Sequence, residues 1–160
     1  MKRVPAIIPT QWRLSWPFYA TGALAIIGGG IASAIAAQDP GYLASWAVAY
    51  LVLVVGVAQI ALGAGLAELA RGNPAIHSLR TIFALFNLGN AGVLAGTLLQ
   101  DRVSHSVLLV DLGSLLLAGA LLFGIGIARG APPSRLRTLY YLLVIGLLIS
   151  MFIGILLAHR

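Results

Sequence analysis

The sequence predicts an all-α polytopic membrane protein, a bundle of five transmembrane helices in a single domain over residues 1–160. Three observations carry this. Of the 160 residues, 60% are apolar and only 9% are charged, where a soluble domain carries roughly 25% charged residues. Five stretches are long and apolar enough for a helix to cross a hydrocarbon core of about 30 Å, which takes about 20 residues. Within these stretches apolar and polar residues do not alternate, as the strands of a membrane barrel require. There is no cysteine, so a disulfide-built secreted domain is excluded together with a soluble enzyme and a disordered chain.

The first span is expected at Phe18–Ala37. Lys2 and Arg3 precede it, and Ala34-Ile35-Ala36 closes it, an outline that also fits a secretory signal. The long charged approach with Pro5, Pro9 and Pro17 favours a retained span. Cleavage would leave four spans in the same orientation. The second span is expected at Tyr42–Ala70, the third at Leu79–Leu99, the fourth at Ser104–Ala128 and the fifth at Thr138–Ala158. The loops between them are too short to fold as a soluble domain, so any chemistry lies inside the bundle, at its interfaces or on a partner.

Basic residues orient the bundle. Lys2, Arg3, Arg13, Arg71, Arg80, Arg129, Arg135 and Arg137 fall on one side of the five-span plan, and Arg102 and Arg160 on the other. The N-terminus is therefore expected in the cytoplasm and the C-terminus outside, in the inner (cell) membrane. The net charge of +6 reports attraction to anionic headgroups and no nucleic-acid partner. Trp12, Trp16, Tyr140 and Tyr141 are expected as anchors at the inner headgroups, Tyr42 and Trp46 at the outer ones.

An internal repeat runs through the later spans. Arg71-Gly72-Asn73-Pro74 returns as Arg129-Gly130-Ala131-Pro132, and Leu79-Arg80-Thr81-Ile82-Phe83 as Leu136-Arg137-Thr138-Leu139-Tyr140. Gly89 matches Gly146, and Gly96 matches Gly154. The pattern reads as one helix plus a duplicated two-helix hairpin, with a pseudo-axis along the membrane normal.

Lipid tails give no hydrophobic drive for helix association, so small residues mark close contacts. On this ground Gly29, Gly92, Gly96, Gly124, Gly146 and Gly154 are expected as helix-packing positions. Thr21, Ala25, Gly29, Ser33 and Ala37 form one ladder on the first span, and Gly28, Ala32 and Ala36 a second. Such faces suit a homo-oligomer or association with other membrane subunits.

Polar groups at bilayer depth are the functional candidates. Asp111 is the clearest, as a proton or cation site or as a protonated hydrogen-bond donor to a neighbouring helix. Asn87, Asn90 and Thr97 share one face of the third span at helical spacing. Ser114 lies on the Asp111 face, and Gln59 lies on the second span almost opposite Glu68. In the repeat, Val144, Leu147, Leu53 and Leu117 replace Asn87, Asn90, Asp111 and Gln59, which suits one asymmetric site between spans two, three and four. Interhelical glue is the competing interpretation. Glu68 has Arg71 three residues on as a ready partner. His105 and His159 lie at similar depth near the outer surface, so a haem or copper site is conceivable, although no His-rich or Met-rich motif accompanies them. No phosphate-binding, dinucleotide, HExxH or Ser-His-Asp pattern occurs.

Three functions follow from these residues. The first is a non-enzymatic accessory or scaffolding component without a cofactor, embedded in the lipid bilayer and packed against partner helices. The second is a small-solute, ion or proton permease or channel subunit. The third is a haem- or metal-binding membrane protein.

Overall fold

The computed structural model describes the backbone of residues 9–38, 41–70 and 76–159, and their side chains except at 9–14 and 76–77. These residues form five long helices and no strand: α1 Pro9–Ala36, α2 Tyr42–Leu69, α3 Ile76–Leu98, α4 Ser106–Arg129 and α5 Arg135–Ala158. All five contain segments long and apolar enough to cross a membrane. The Arg71–Pro74 motif, residues 1–8 and Arg160 lie outside the described residues, as does the Arg71 partner expected for Glu68. We call the end where α1 starts the near end, and the opposite end the far end.

Helix α1 begins earlier than the hydropathy window, at Pro9, because proline is tolerated in the first turn, where its missing N–H would have no partner. Pro17 lies inside the helix. One turn later the Thr21 hydroxyl donates to the Pro17 carbonyl at 2.7 Å, a local bond that Thr makes readily at this spacing.

The closest pairings are α1 with α2 and α3 with α4. Both are antiparallel and both close on glycines. On α1 the buried positions Ser15, Phe18, Gly22, Ala25 and Gly29 alternate steps of three and four, so they form one stripe. A methyl group on Gly22 would lie 2.9 Å from the Gly56 carbonyl oxygen. One on Gly29 would collide with Val52, and one on Gly63 with Phe18. Between α3 and α4 the approach is backbone to backbone. A methyl on Gly89 would stand 2.7 Å from the Gly113 carbonyl, and one on Gly96 2.7 Å from the Ser106 carbonyl. Both pairings cross the boundaries of the repeated hairpins.

Helix α2 carries a π-helical stretch at Leu51–Ala58 between two α-helical parts. Hydrogen bonds there run from i to i+5. At the offset of the repeat, the matching stretch of α4 is regular α-helix, so this feature belongs to one copy alone.

Helix α5 sits at the edge. Of its 24 residues only Tyr140 and Val144 are buried. Ser134 caps its start, its Oγ accepting from the Arg137 amide at 3.2 Å, while the Arg137 guanidinium donates to the Ala131 carbonyl at 2.6 Å. Tyr140 is not the lipid-facing anchor that the sequence suggests. Its ring is buried against Gly65 of α2 and Gly124 of α4, where a side chain on either glycine would strike it. Two glycines on different helices open this slot, and neither is adjacent to Tyr140 in sequence. Trp16 and Tyr42 are exposed, as anchors are, whereas Trp46 is half-buried and stacks on Tyr50 with ring centroids 5.1 Å apart. The Trp12 side chain lies outside the described residues.

The core fills the near half. Phe18, Leu62, Leu66, Ile82, Phe86, Leu121 and Val144 are all nearly inaccessible there. Phe18 meets Phe83 edge to face at 5.2 Å, tying α1 to α3. In the far half a cavity lies between α2, α3, α4 and α5.

Candidate functional site

The polar side chains inside the bundle separate into three contacts and one cavity wall. Gln59, fully buried, donates through Nε2 to the Thr21 hydroxyl across the α1–α2 contact. Its Oε1 has no partner among the described residues. A buried acceptor left unpaired costs about 1–3 kcal/mol.

Asn90, 1% exposed, bridges α2 and α3. Its Oδ1 accepts from the Tyr50 hydroxyl at 2.8 Å, and its Nδ2 donates to the Phe86 carbonyl one turn back at 2.8 Å. Asn87 turns to its own helix, donating to the Phe83 carbonyl at 2.8 Å. Asn87 and Asn90 thus share a helix face but have no common partner.

Asp111 lies one and a half turns into α4, and its Oδ1 meets Nε2 of His159 at the end of α5, 3.0 Å away. Both side chains are well exposed, His159 at 51% and Asp111 at 39%. The contact is an ion pair when the imidazole is protonated and a hydrogen bond when it is neutral. His105 stands exposed just before α4, while His159 is engaged by the carboxylate. Among the described residues no group of three or more His, Cys, Asp or Glu side chains could hold a metal ion.

Thr97 and Ser114 line the far-half cavity, which has a volume of about 340 Å³. Along α3 its wall runs from Phe86 to Thr97, with Gln100 in the turn beyond, and along α5 from Leu147 to Ala158. Gln59, Asn87, Asn90 and Asp111 are not among its lining residues. The six polar residues picked from the sequence therefore do not converge on one space. Sequence reasoning missed Thr21, Tyr50 and Ser150, the last of which also lines the cavity. The Tyr50 signal was present, since a tyrosine hydroxyl at bilayer depth needs a partner.

The packing glycines divide in the same way. Gly29, Gly92, Gly96 and Gly124 face neighbouring helices, as do Gly22, Gly56, Gly63, Gly65, Gly89 and Gly113, which the four-residue ladders did not single out. At Gly146 and Gly154 nothing within 4 Å would meet an added side chain, and the same holds for Gly28.

Comparison with protein-family profiles, with curated proteins and with solved structures finds no match to this chain.

Proposed function

We propose that this chain is a non-enzymatic integral component of the cell membrane, N-terminus in the cytoplasm, that docks through α5 against a helix of a partner subunit. One observation carries the reading. Leu142, Gly146, Ile149, Ile153 and Leu156 are all exposed and follow steps of four, three, four and three along α5. That is the seam of two helices packing at a shallow angle, with a glycine where the backbones approach. The buried face of α5, at Tyr140 and Val144, is a different one, so the seam is free for a second helix.

Support also comes from the polar groups. A permease path asks that Gln59, Asn87, Asn90 and Asp111 share a wet route, whereas each satisfies hydrogen bonds at a separate contact. The bonds of Gln59, Asn90 and Asp111 cross between helices and hold them together, while that of Asn87 stays within its own helix.

The test is native mass spectrometry after extraction in mild detergent, for the wild type and for Gly146→Leu. The expected result is a complex larger than one chain for the wild type, its mass identifying a second copy or another subunit, and a folded single chain for the variant. A wild type that runs as a single chain under all mild conditions, or a variant that keeps the complex, overturns the reading.

A further inference from the structure

We infer that the far-half cavity is a binding site for one acyl chain of a phospholipid in the leaflet at that end, the external leaflet in the orientation set by the basic residues. This does not depend on the docking of α5. The site is framed by α2, α3, α4 and α5 and is separate from the exposed seam.

Length is the first ground. From Phe86 to Thr97 the α3 wall rises through 11 steps, about 17 Å at 1.5 Å per residue. A leaflet contributes about 15 Å of hydrocarbon. The cavity therefore reaches from headgroup level to just past the midplane, which is the reach of one lipid tail.

Polarity is the second. Tyr50, Phe86, Leu117 and Leu121 close the deep end, and Tyr42 and Gln100 stand at the mouth. The hydroxyls of Thr97, Ser114 and Ser150 are spread over three helices and form no continuous polar track. Most of the lining is apolar side chain, which favours a hydrocarbon occupant over water. A void would forfeit the dispersion contacts of its whole lining. At roughly 30 Å³ per small heavy-atom group, a cavity of about 340 Å³ holds a chain on the order of ten carbons. It is at the small end of ligand pockets, which run from about 300 to 1,000 Å³.

Trp46 lines the cavity and gives a local probe. The chain has three tryptophans, so Trp12→Phe with Trp16→Phe leaves Trp46 alone. This protein in detergent is titrated with phosphatidylcholine brominated midway along one acyl chain. Trp46 emission is expected to fall about two-fold and to saturate near one lipid per chain. Ser150→Phe, which fills the cavity, is expected to abolish the saturable phase, and Gly154→Phe repeats the test at a second position. Retained helical circular dichroism qualifies each variant, and native mass spectrometry of the unlabelled wild type is expected to show one phospholipid held. Quenching that rises in proportion to the lipid fraction of the micelle and is unchanged in both filled variants overturns the proposal. So does a wild type that retains no lipid and shows no saturation, the outcome expected if a partner side chain occupies the space.

Discussion

The near and far halves of the bundle are made from the same kinds of residue and differ in how the helices meet. In the near half large side chains bridge between pairs: Phe18 of α1, seated on Gly63 of its own pair, reaches Phe83 of α3, and Tyr140 of α5 fits between Gly65 of α2 and Gly124 of α4. In the far half each pair is still sealed by its own glycines, at Gly29 and at Gly92 and Gly96, but the tie between the pairs is a single hydrogen bond, from the Tyr50 hydroxyl to Asn90, and no ring packs into a glycine slot. The space between them stays open. In lipid, apolar surface by itself supplies no reason for two helices to touch. Shape decides, and this chain supplies complementary shape at one end only.

Breaking a pair itself should do most. Gly113→Val pushes a side chain against the Gly89 carbonyl oxygen and the Val93 amide, backbone atoms that cannot turn aside. A loss of about 3 kcal/mol is expected, read as a lower midpoint in chemical or thermal unfolding in detergent. An unchanged midpoint would mean that the α3–α4 seam is not the unit the geometry describes.

Emptying the near half alone should do somewhat less. Tyr140→Ala removes the ring between Gly65 and Gly124, and the cavity left behind costs roughly 2–3 kcal/mol, below the usual range for a large aromatic because lipid can relax into a slot at the edge of the bundle. Cysteine accessibility on α5 and on α3 distinguishes loss of one helix from loss of the fold: it should rise at Val144 of α5 and stay unchanged at Val93 of α3. Equal rises at both would erase the distinction between the halves.

The far half should hardly respond. Asp111→Asn weakens a contact whose two side chains are both well exposed, and exposed ion pairs contribute about 0–1 kcal/mol. A shift in unfolding midpoint as large as that of Tyr140→Ala would show the far end to be fastened as firmly as the near one.

Much of this architecture is legible in the sequence, and the illegible parts share a cause. Hydropathy reports what a segment prefers as its surroundings, so the five spans emerge from it within a few residues of their ends. It says nothing of which helix lies beside which. The Gln59–Thr21 and Asp111–His159 contacts join residues 38 and 48 positions apart, and no spacing rule on one helix foretells them. Four-residue ladders find Gly29, Gly92 and Gly96 but pass over Gly63 and Gly65, because those glycines receive an aromatic ring from another helix instead of a matching glycine. The π stretch at Leu51–Ala58 is silent for another reason: changing the hydrogen-bond spacing leaves composition and hydropathy as they were. Of the candidate site, the residue types were readable and their grouping was not.

The two attachments of α5 are unlike in kind. At one end a ring is enclosed by two other helices, and at the other a carboxylate and an imidazole meet in the open. A helix held this way is keyed by shape at its near end and tied at its far end by a contact that water reaches. Since α5 forms one wall of the cavity, the far end of that wall is fastened by the weaker of its two ties.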